Sequence, residues 1–513
     1  MEKMKLQVVL MGVVASLALV GATVTPLSYY VKEYDDGMYK WNVSETVYDF
    51  DDHTQYNVYL TSQMWLTDLD TDSHIWTHWL EVCIPKTIVD STTAYLWIDG
   101  RSTKSFDEPP GPSDGLLRRP CVTTNTLSFG LYQIPNEPVV YFSDPELRPR
   151  TEDAMIAYTW AHFVNNTLEY DWLARMPMTK ASIKAMDAAQ EFWDSKRGEL
   201  PGIERFVVSG ASKRGWTTWM VGAMGDPRVA AIVPVVAPIA NLVPQINEQY
   251  ESYGGFSFAL VDYTELGLMG WLNTPTFETL LNPIDPLTYK DEMAAIPKYQ
   301  VGASGDEFFM PDALQYYWDD LPGQKHYRIL PNAEHSLVGS IKDAIDSSAN
   351  FLLSFKQGYN ITLPEYSWEI SEDGYTITVT ATTDYISRVR VYVSKNNPNR
   401  DWRLIRCASG PACVNPTALW LPRRARNVGD GVYSYTMDTP DEGRYSAFFI
   451  EIDYALPTGL DAPFTVTSDV SIVPKAMPFP ACDADTCACE WDCADTDIIA
   501  HPFAGISSED PEE

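Results

Sequence analysis

Positive charge is what this 513-residue chain has least of: 37 Lys and Arg stand against 70 Asp and Glu, a formal net charge of −33. No Lys/Arg-rich run offsets that balance, so phosphates meet repulsion over the whole surface, which argues against a nucleic-acid partner. Histidine is also scarce, with seven in all. The closest pair, His74 and His78, lies in what reads as a strand. Four residues along a strand set them roughly 13 Å apart, too far for one ion. No metal or other cofactor is expected. There is no repeat of solenoid period. After residue 20 no apolar run reaches the roughly 20 residues a membrane span needs.

What the chain does have is apolar and aromatic content, 45% and 12%, enough at this length for two or three cores. Lys3 and Lys5, the apolar run 6–20 and the small residues Val20-Gly21-Ala22 read as a signal peptide over 1–22. A secreted, extracellular protein with no membrane span after signal removal follows. The cysteine count is even: Cys83, Cys121, Cys407, Cys413, Cys482, Cys487, Cys489 and Cys493. In an oxidising compartment they are expected as disulfides, with Cys407 and Cys413 closing a short loop. The rival, a zinc site in the tail, lacks the two separated CxxC-like pairs such sites use. Asn42, Asn165 and Asn360 each begin an Asn-X-Ser/Thr glycosylation motif.

Strand-like runs rich in Val, Tyr, Trp and Thr occupy 56–64 and 75–84. From residue 92 strands at 94–98, 139–142, 205–209, 229–236, 298–303 and 325–330 alternate with helices at 152–164, 180–193, 216–225, 312–318 and 336–355. That alternation predicts a mostly parallel sheet covered by helices on both faces, within 23–358. A mostly helical excursion at about 241–290 is too long for an ordinary connection and reads as a lid. Beyond a Pro-bearing break, 362–475 alternates apolar and polar residues between turns, as in an antiparallel β-sandwich-like domain. An acidic, Cys-rich tail fills 476–513.

The sharpest motif is Gly210-Ala211-Ser212-Lys213-Arg214-Gly215, between strand 205–209 and the next helix. A serine nucleophile needs this setting: a tight strand-to-helix turn that holds Oγ above the sheet, with small neighbours and a following amide aimed at an oxyanion. The second glycine stands three residues after Ser212 rather than two. Nucleophile, acid and base follow in that order in such folds. Only His326, His335 and His501 come after Ser212. His335 lies in the loop after the last strand, where the base belongs. Asp306 follows strand 298–303 and is the expected acid, with Asp312 in reserve. Oxyanion donors are expected at Lys213 and, after strand 94–98, at Gly100 and Arg101. These signals together define an α/β-hydrolase fold. The side chains of Lys213 and Arg214 either steady an oxyanion, receive an acidic substrate group, or pair with a carboxylate of the lid. The Trp-bearing stretch 216–219 reads as core.

Several motifs are similar to those of the PhoPQ-activated pathogenicity-related protein family. They are Thr25-Pro26-Leu27 with Tyr30-Val31, Thr61-Ser62-Gln63-Met64-Trp65-Leu66-Thr67, Met178-Thr179-Lys180, the stretch 210–219, Gly305-Asp306-Glu307-Phe308-Phe309, Asp319-Asp320-Leu321-Pro322-Gly323 and 331–337. The resemblance spans roughly residues 25–474. It implies an α/β-hydrolase fold followed by a β-rich region, with virulence regulation tied to bacterial members and secreted growth signals to amoebal ones. The loop Asp99-Gly100-Arg101 departs from the Gly-rich run common there. Two functions are carried forward. One is a secreted serine hydrolase of unknown substrate, a small ester or peptide. The other is a non-enzymatic secreted signal, of the autocrine proliferation repressor kind, that binds a cell-surface receptor.

Overall fold

Runs of β-branched and aromatic residues buried on both sides make the centre of the molecule. The computed structural model describes residues 24–105, 108–112, 115–408, 413–482 and 487. The expected signal peptide, Cys489, Cys493, His501 and most of the tail lie outside them. Nine strands form the main sheet: β1 Lys40–Asp49, β2 His53–Met64, β3 Ile75–Pro85, β4 Thr93–Ile98, β5 Leu127–Leu131, β6 Arg205–Ala211, β7 Val229–Val235, β8 Lys298–Ala303 and β9 Lys325–Leu330. Their order is β1-β2-β3-β5-β4-β6-β7-β8-β9. The first three ladders, up to β3–β5, are antiparallel. All ladders from β5–β4 onward are parallel. Every residue of β4 and β8 is buried, as a parallel sheet covered on both faces requires.

Helices fill the crossovers. They are α1 Gly115–Thr124, α2 Glu152–Asn165, α3 Arg175–Lys196, α4 Lys213–Ala223, α5 Leu242–Tyr253, α6 Pro275–Leu281 and α7 Ile341–Leu353. The long β7-to-β8 connection holds α5, a short helix Val261–Glu265 and α6. Some elements differ from the sequence reading. Strands β1 and β5 were not expected. Residues 139–142 form no strand: Val139 meets Arg150, and Tyr141 meets Thr71, only in isolated bridges. Pro138 has no N–H for a ladder, and Tyr141 instead packs on Trp65, Tyr158 and Trp172. The last helix starts at Ile341 rather than 336, because Leu337 and Gly339 adopt positive φ (58° and 83°), which an α-helix cannot contain. The segment 312–318 holds only a 3₁₀ turn, Ala313–Tyr316.

The C-terminal region builds separate antiparallel sheets. One runs β10 Tyr366–Ile370, β11 Thr376–Ala381, β15 Val432–Thr436 and β14 Arg426–Gly429. The other runs β13 Leu421–Arg423, β12 Ile386–Asn397, β16 Tyr445–Tyr454 and β17 Phe464–Thr467, with β18 Ser471–Val473 also on β16. Buried Tyr299 and Phe351 share an apolar cluster with Val391, Phe448 and Phe464. The Tyr299 hydroxyl donates to the Thr465 carbonyl at 2.7 Å.

Disulfides join Cys83 to Cys121, Cys407 to Cys413 and Cys482 to Cys487. The first ties β3 to α1 across a sequence separation of 38. A loop of that length restricts the unfolded chain by about 4 kcal/mol in the chain-entropy account. Replacing Cys83 and Cys121 together with Ala is therefore expected to lower the free energy of unfolding by about 4 kcal/mol. Urea unfolding under oxidising conditions measures it, and an unchanged midpoint would reject the expectation. No described helix is long and apolar enough to cross a membrane.

Candidate active site

The turn after β6 is forced by close packing. A Cβ on Gly210 would sit 2.7 Å from the Arg214 carbonyl oxygen, and one on Gly215 would sit 2.7 Å from that of Val235. The close approach thus falls at 215, three residues after Ser212, while position 214 carries an arginine side chain. Ser212 between them has φ 56° and ψ −125°, a costly conformation for a residue with a side chain. Its amide donates to the Val235 carbonyl at 2.9 Å. The chain then enters α4 directly.

Ser212 Oγ lies 2.6 Å from His335 Nε2. His335 Nδ1 lies 2.9 Å from both carboxylate oxygens of Asp306. The two loops that carry these residues are tied to each other: Gly305 N–H donates to the Ala333 carbonyl at 2.9 Å, and Asn332 N–H to Ser304 Oγ at 2.9 Å. Asp306 also accepts the Phe308 amide at 2.8 Å, and Glu307 accepts the His335 amide at 3.0 Å. The Phe308 ring stands 4.4 Å from the imidazole. Burial works to lower the His335 pKa, but the charge and hydrogen bond of Asp306, helped by Glu307, prevail and raise it above the usual value. The reserve acid, Asp312, is committed elsewhere. It pairs with Arg400 at 2.8 Å, and Arg400 also holds Glu248.

The expected oxyanion residues are arranged unequally. Lys213 opens α4, where the first amides have no intrahelical acceptor. The Gly100 amide donates to the Asp99 carboxylate at 2.7 Å, so it is already engaged. Arg101 has φ 90°, and its guanidinium stacks on Tyr132 at 3.8 Å. A Cβ at Gly100 would press on the Arg214 guanidinium, which is held in place by Glu152.

Lys213 and Arg214 are ion-paired, but with α2 rather than with the long connection. Lys213 Nζ reaches Glu152 at 2.8 Å and Asp153 at 3.0 Å. Arg214 holds both oxygens of Glu152 at 2.8 Å. Glu152 and Asp153 were missed because nothing in local spacing links residues so far apart. Burial and the neighbouring Glu152 push the Glu137 carboxyl upward. Trp216 and Trp219 are both buried in the core, as expected, and Trp216 also lines a cleft.

Ser212 stands between two clefts. One, partly open to solvent, is walled by Arg175, Trp160, Trp216 and Phe308 and by residues of the β7-to-β8 connection such as Phe277. The other has Asp99, Leu337 and His335 on its walls. Arg175 was also missed, although a lone arginine inside Trp172-Leu173-Ala174-Arg175-Met176 is a visible signal. Asn42, Asn165 and Asn360 are all exposed.

This strand order, with Ser212 after β6, Asp306 after β8 and His335 after β9, is an α/β-hydrolase fold. The chain belongs to the PhoPQ-activated pathogenicity-related protein family, which it matches over residues 27–403. It is similar to Autocrine proliferation repressor protein A of Dictyostelium discoideum, 40% identical over 473 residues, covering 89% of this chain and 92% of that one. Among solved structures it is similar to acetyl xylan esterase 1 from Thermoanaerobacterium sp. JW/SL YS485, with TM-score 0.41 and 13% identity over 64% of this chain and 91% of that one. Glucuronoyl esterase from Solibacter usitatus gives TM-score 0.37 and 15% identity over 64% and 90%.

Proposed function

We propose that the protein is a secreted serine hydrolase that cleaves a small ester or peptide by acyl transfer. The observation that carries this reading is the hydrogen-bonded chain from Ser212 through His335 to Asp306, at 2.6 and 2.9 Å, on a strained turn between two clefts. Ser212 Oγ attacks the carbonyl carbon while His335 Nε2 takes its proton. The amides of Lys213 and Arg101 receive the oxyanion. The imidazolium gives its proton to the leaving group, and water then repeats the cycle on the acyl-enzyme. Asp306 fixes the tautomer with the proton on Nδ1. Secretion is supported by the three disulfides and by the autocrine name of the amoebal relative. That name also favours a second reading, a secreted repressor of proliferation that binds a cell-surface receptor whether or not it turns over substrate.

A fluorophosphonate probe tests the first reading. It is expected to label Ser212 alone, found by peptide mass mapping. Only neutral His335 can accept the serine proton, so the labelling rate falls as pH drops through the His335 pKa. Because that pKa is raised, the acid limb is expected above the ordinary histidine value of about 6.5. No labelling at any pH rejects Ser212 as nucleophile, and a limb below about 6.5 rejects the electrostatic account of His335.

A further inference from the structure

Three cations crowd the nucleophile, and two carboxylates answer them. Lys213 and Arg214 are paired with Glu152 and Asp153. Arg175, at the start of α3, forms no ion pair with any described carboxylate, although only 1% of it is exposed. One guanidinium nitrogen, Nη1, donates to the Lys213 carbonyl at 2.8 Å. The group stacks on Trp216 with its central carbon 4.2 Å from the ring. Its Nε has no hydrogen-bond partner among the described residues. A buried guanidinium with an unspent donor is costly unless something else satisfies it.

Arg175 lines the cleft beside Ser212. Trp160, whose ring meets Trp216 edge-on, lines it too, and its indole N–H is likewise buried without an acceptor. Most of the remaining wall is apolar, Ile246, Leu268 and Phe277 among it, with Gln245 and Gln249 beside them. The one carboxylate on it, Asp153, is taken up by Lys213 at 3.0 Å and by the Tyr263 hydroxyl at 3.0 Å. Two residues that line the cleft next to the nucleophile thus keep a buried, unspent donor, and one of them is cationic. A planar guanidinium is suited to a carboxylate.

We propose that this cleft takes the acyl half of a substrate whose apolar chain ends in a carboxylate, received by Arg175 and the Trp160 indole N–H. The proposal rests on the hydrolase reading, and its test separates the two. The p-nitrophenyl ester of hexanoic acid and the mono-p-nitrophenyl ester of adipic acid differ only at the far end of a six-carbon acyl chain. The adipoyl ester is expected to be turned over with a kcat/KM about 10- to 100-fold higher, the worth of a buried charge-assisted hydrogen bond. Arg175→Met is expected to erase that ratio, and Arg175→Lys to keep part of it. An adipoyl ester no better than the hexanoyl ester in the unaltered protein overturns the proposal while leaving the hydrolase standing. If neither ester is cleaved, the hydrolase reading fails, and calorimetry on the Ser212→Ala protein decides the site. Tighter binding of 5-phenylvalerate than of 5-phenylvaleramide, by at least about tenfold, supports the receptor, and equal binding overturns it.

Discussion

Ser212→Ala is expected to lower turnover of an aryl ester by several orders of magnitude, up to about 10⁶-fold, and to leave the protein folded. The two effects separate because Oγ is chemically central and structurally marginal. Its packing role is small: Ser212 is only half buried and borders two clefts, so its removal opens no closed cavity. The bond lost is the one to His335 Nε2, worth about 1 kcal/mol. The strained φ of 56° is imposed by the packing around Gly210 and Gly215 and persists in the variant. What remains after substitution is the oxyanion hole and binding, which account for only a small part of catalysis. Steady-state kinetics beside a melting curve measures both quantities, and unchanged turnover in a well-folded variant would reject the nucleophile. A growth assay on the same variant addresses the second reading. Repression that survives the loss of turnover assigns signalling to a binding surface. Repression lost with turnover assigns it to the chemistry.

The parts of this arrangement that were legible in the sequence are those fixed by short-range rules. A buried strand, a glycine-flanked serine and a helix declare a turn within ten residues, the loop after β9 holds one histidine, and the stretch after β8 holds the candidate acids Asp306 and Asp312. The three residues chosen on those grounds are the three that meet in space. Other features depend on contacts between distant segments. Asp306 and Asp312 are both plausible by position. The choice is made by the Gly305–Ala333 hydrogen bond on one side and, on the other, by Arg400, which arrives from the C-terminal region to occupy Asp312. The partners of Lys213 and Arg214 come from α2, 62 residues from Arg214 in the Glu152 pair. The engagement of the Gly100 amide by Asp99 depends on a side-chain rotation that no pattern encodes. Strand β5 went unread because its five residues, all buried, follow a helix almost without a break.

Asp306→Asn is expected to cost about 10⁴-fold in kcat and to do so through His335 rather than through the fold. An asparagine side chain has the same shape, and its carbonyl oxygen can still accept the Phe308 amide that Asp306 Oδ1 now holds at 2.8 Å. Its NH₂ group, however, donates to Nδ1 where the carboxylate accepted. The imidazole proton then moves to Nε2, the atom 2.6 Å from Ser212 Oγ, which can no longer take the serine proton. The same substitution removes the charge that overcomes the effect of burial on His335, so the acid limb of the residual activity is expected to shift to lower pH. Asp312→Asn should behave in the opposite way. Asp312 touches Arg400 and not the imidazole, so its loss weakens a buried ion-pair network. The expected result is a lower melting temperature, with kcat of the folded fraction nearly intact and the acid limb unmoved. A kcat and pH profile for each variant, normalised to active sites by probe titration, distinguishes the two carboxylates. A large loss of kcat in Asp312→Asn with little change in Asp306→Asn would reverse their roles and reject the assignment of Asp306.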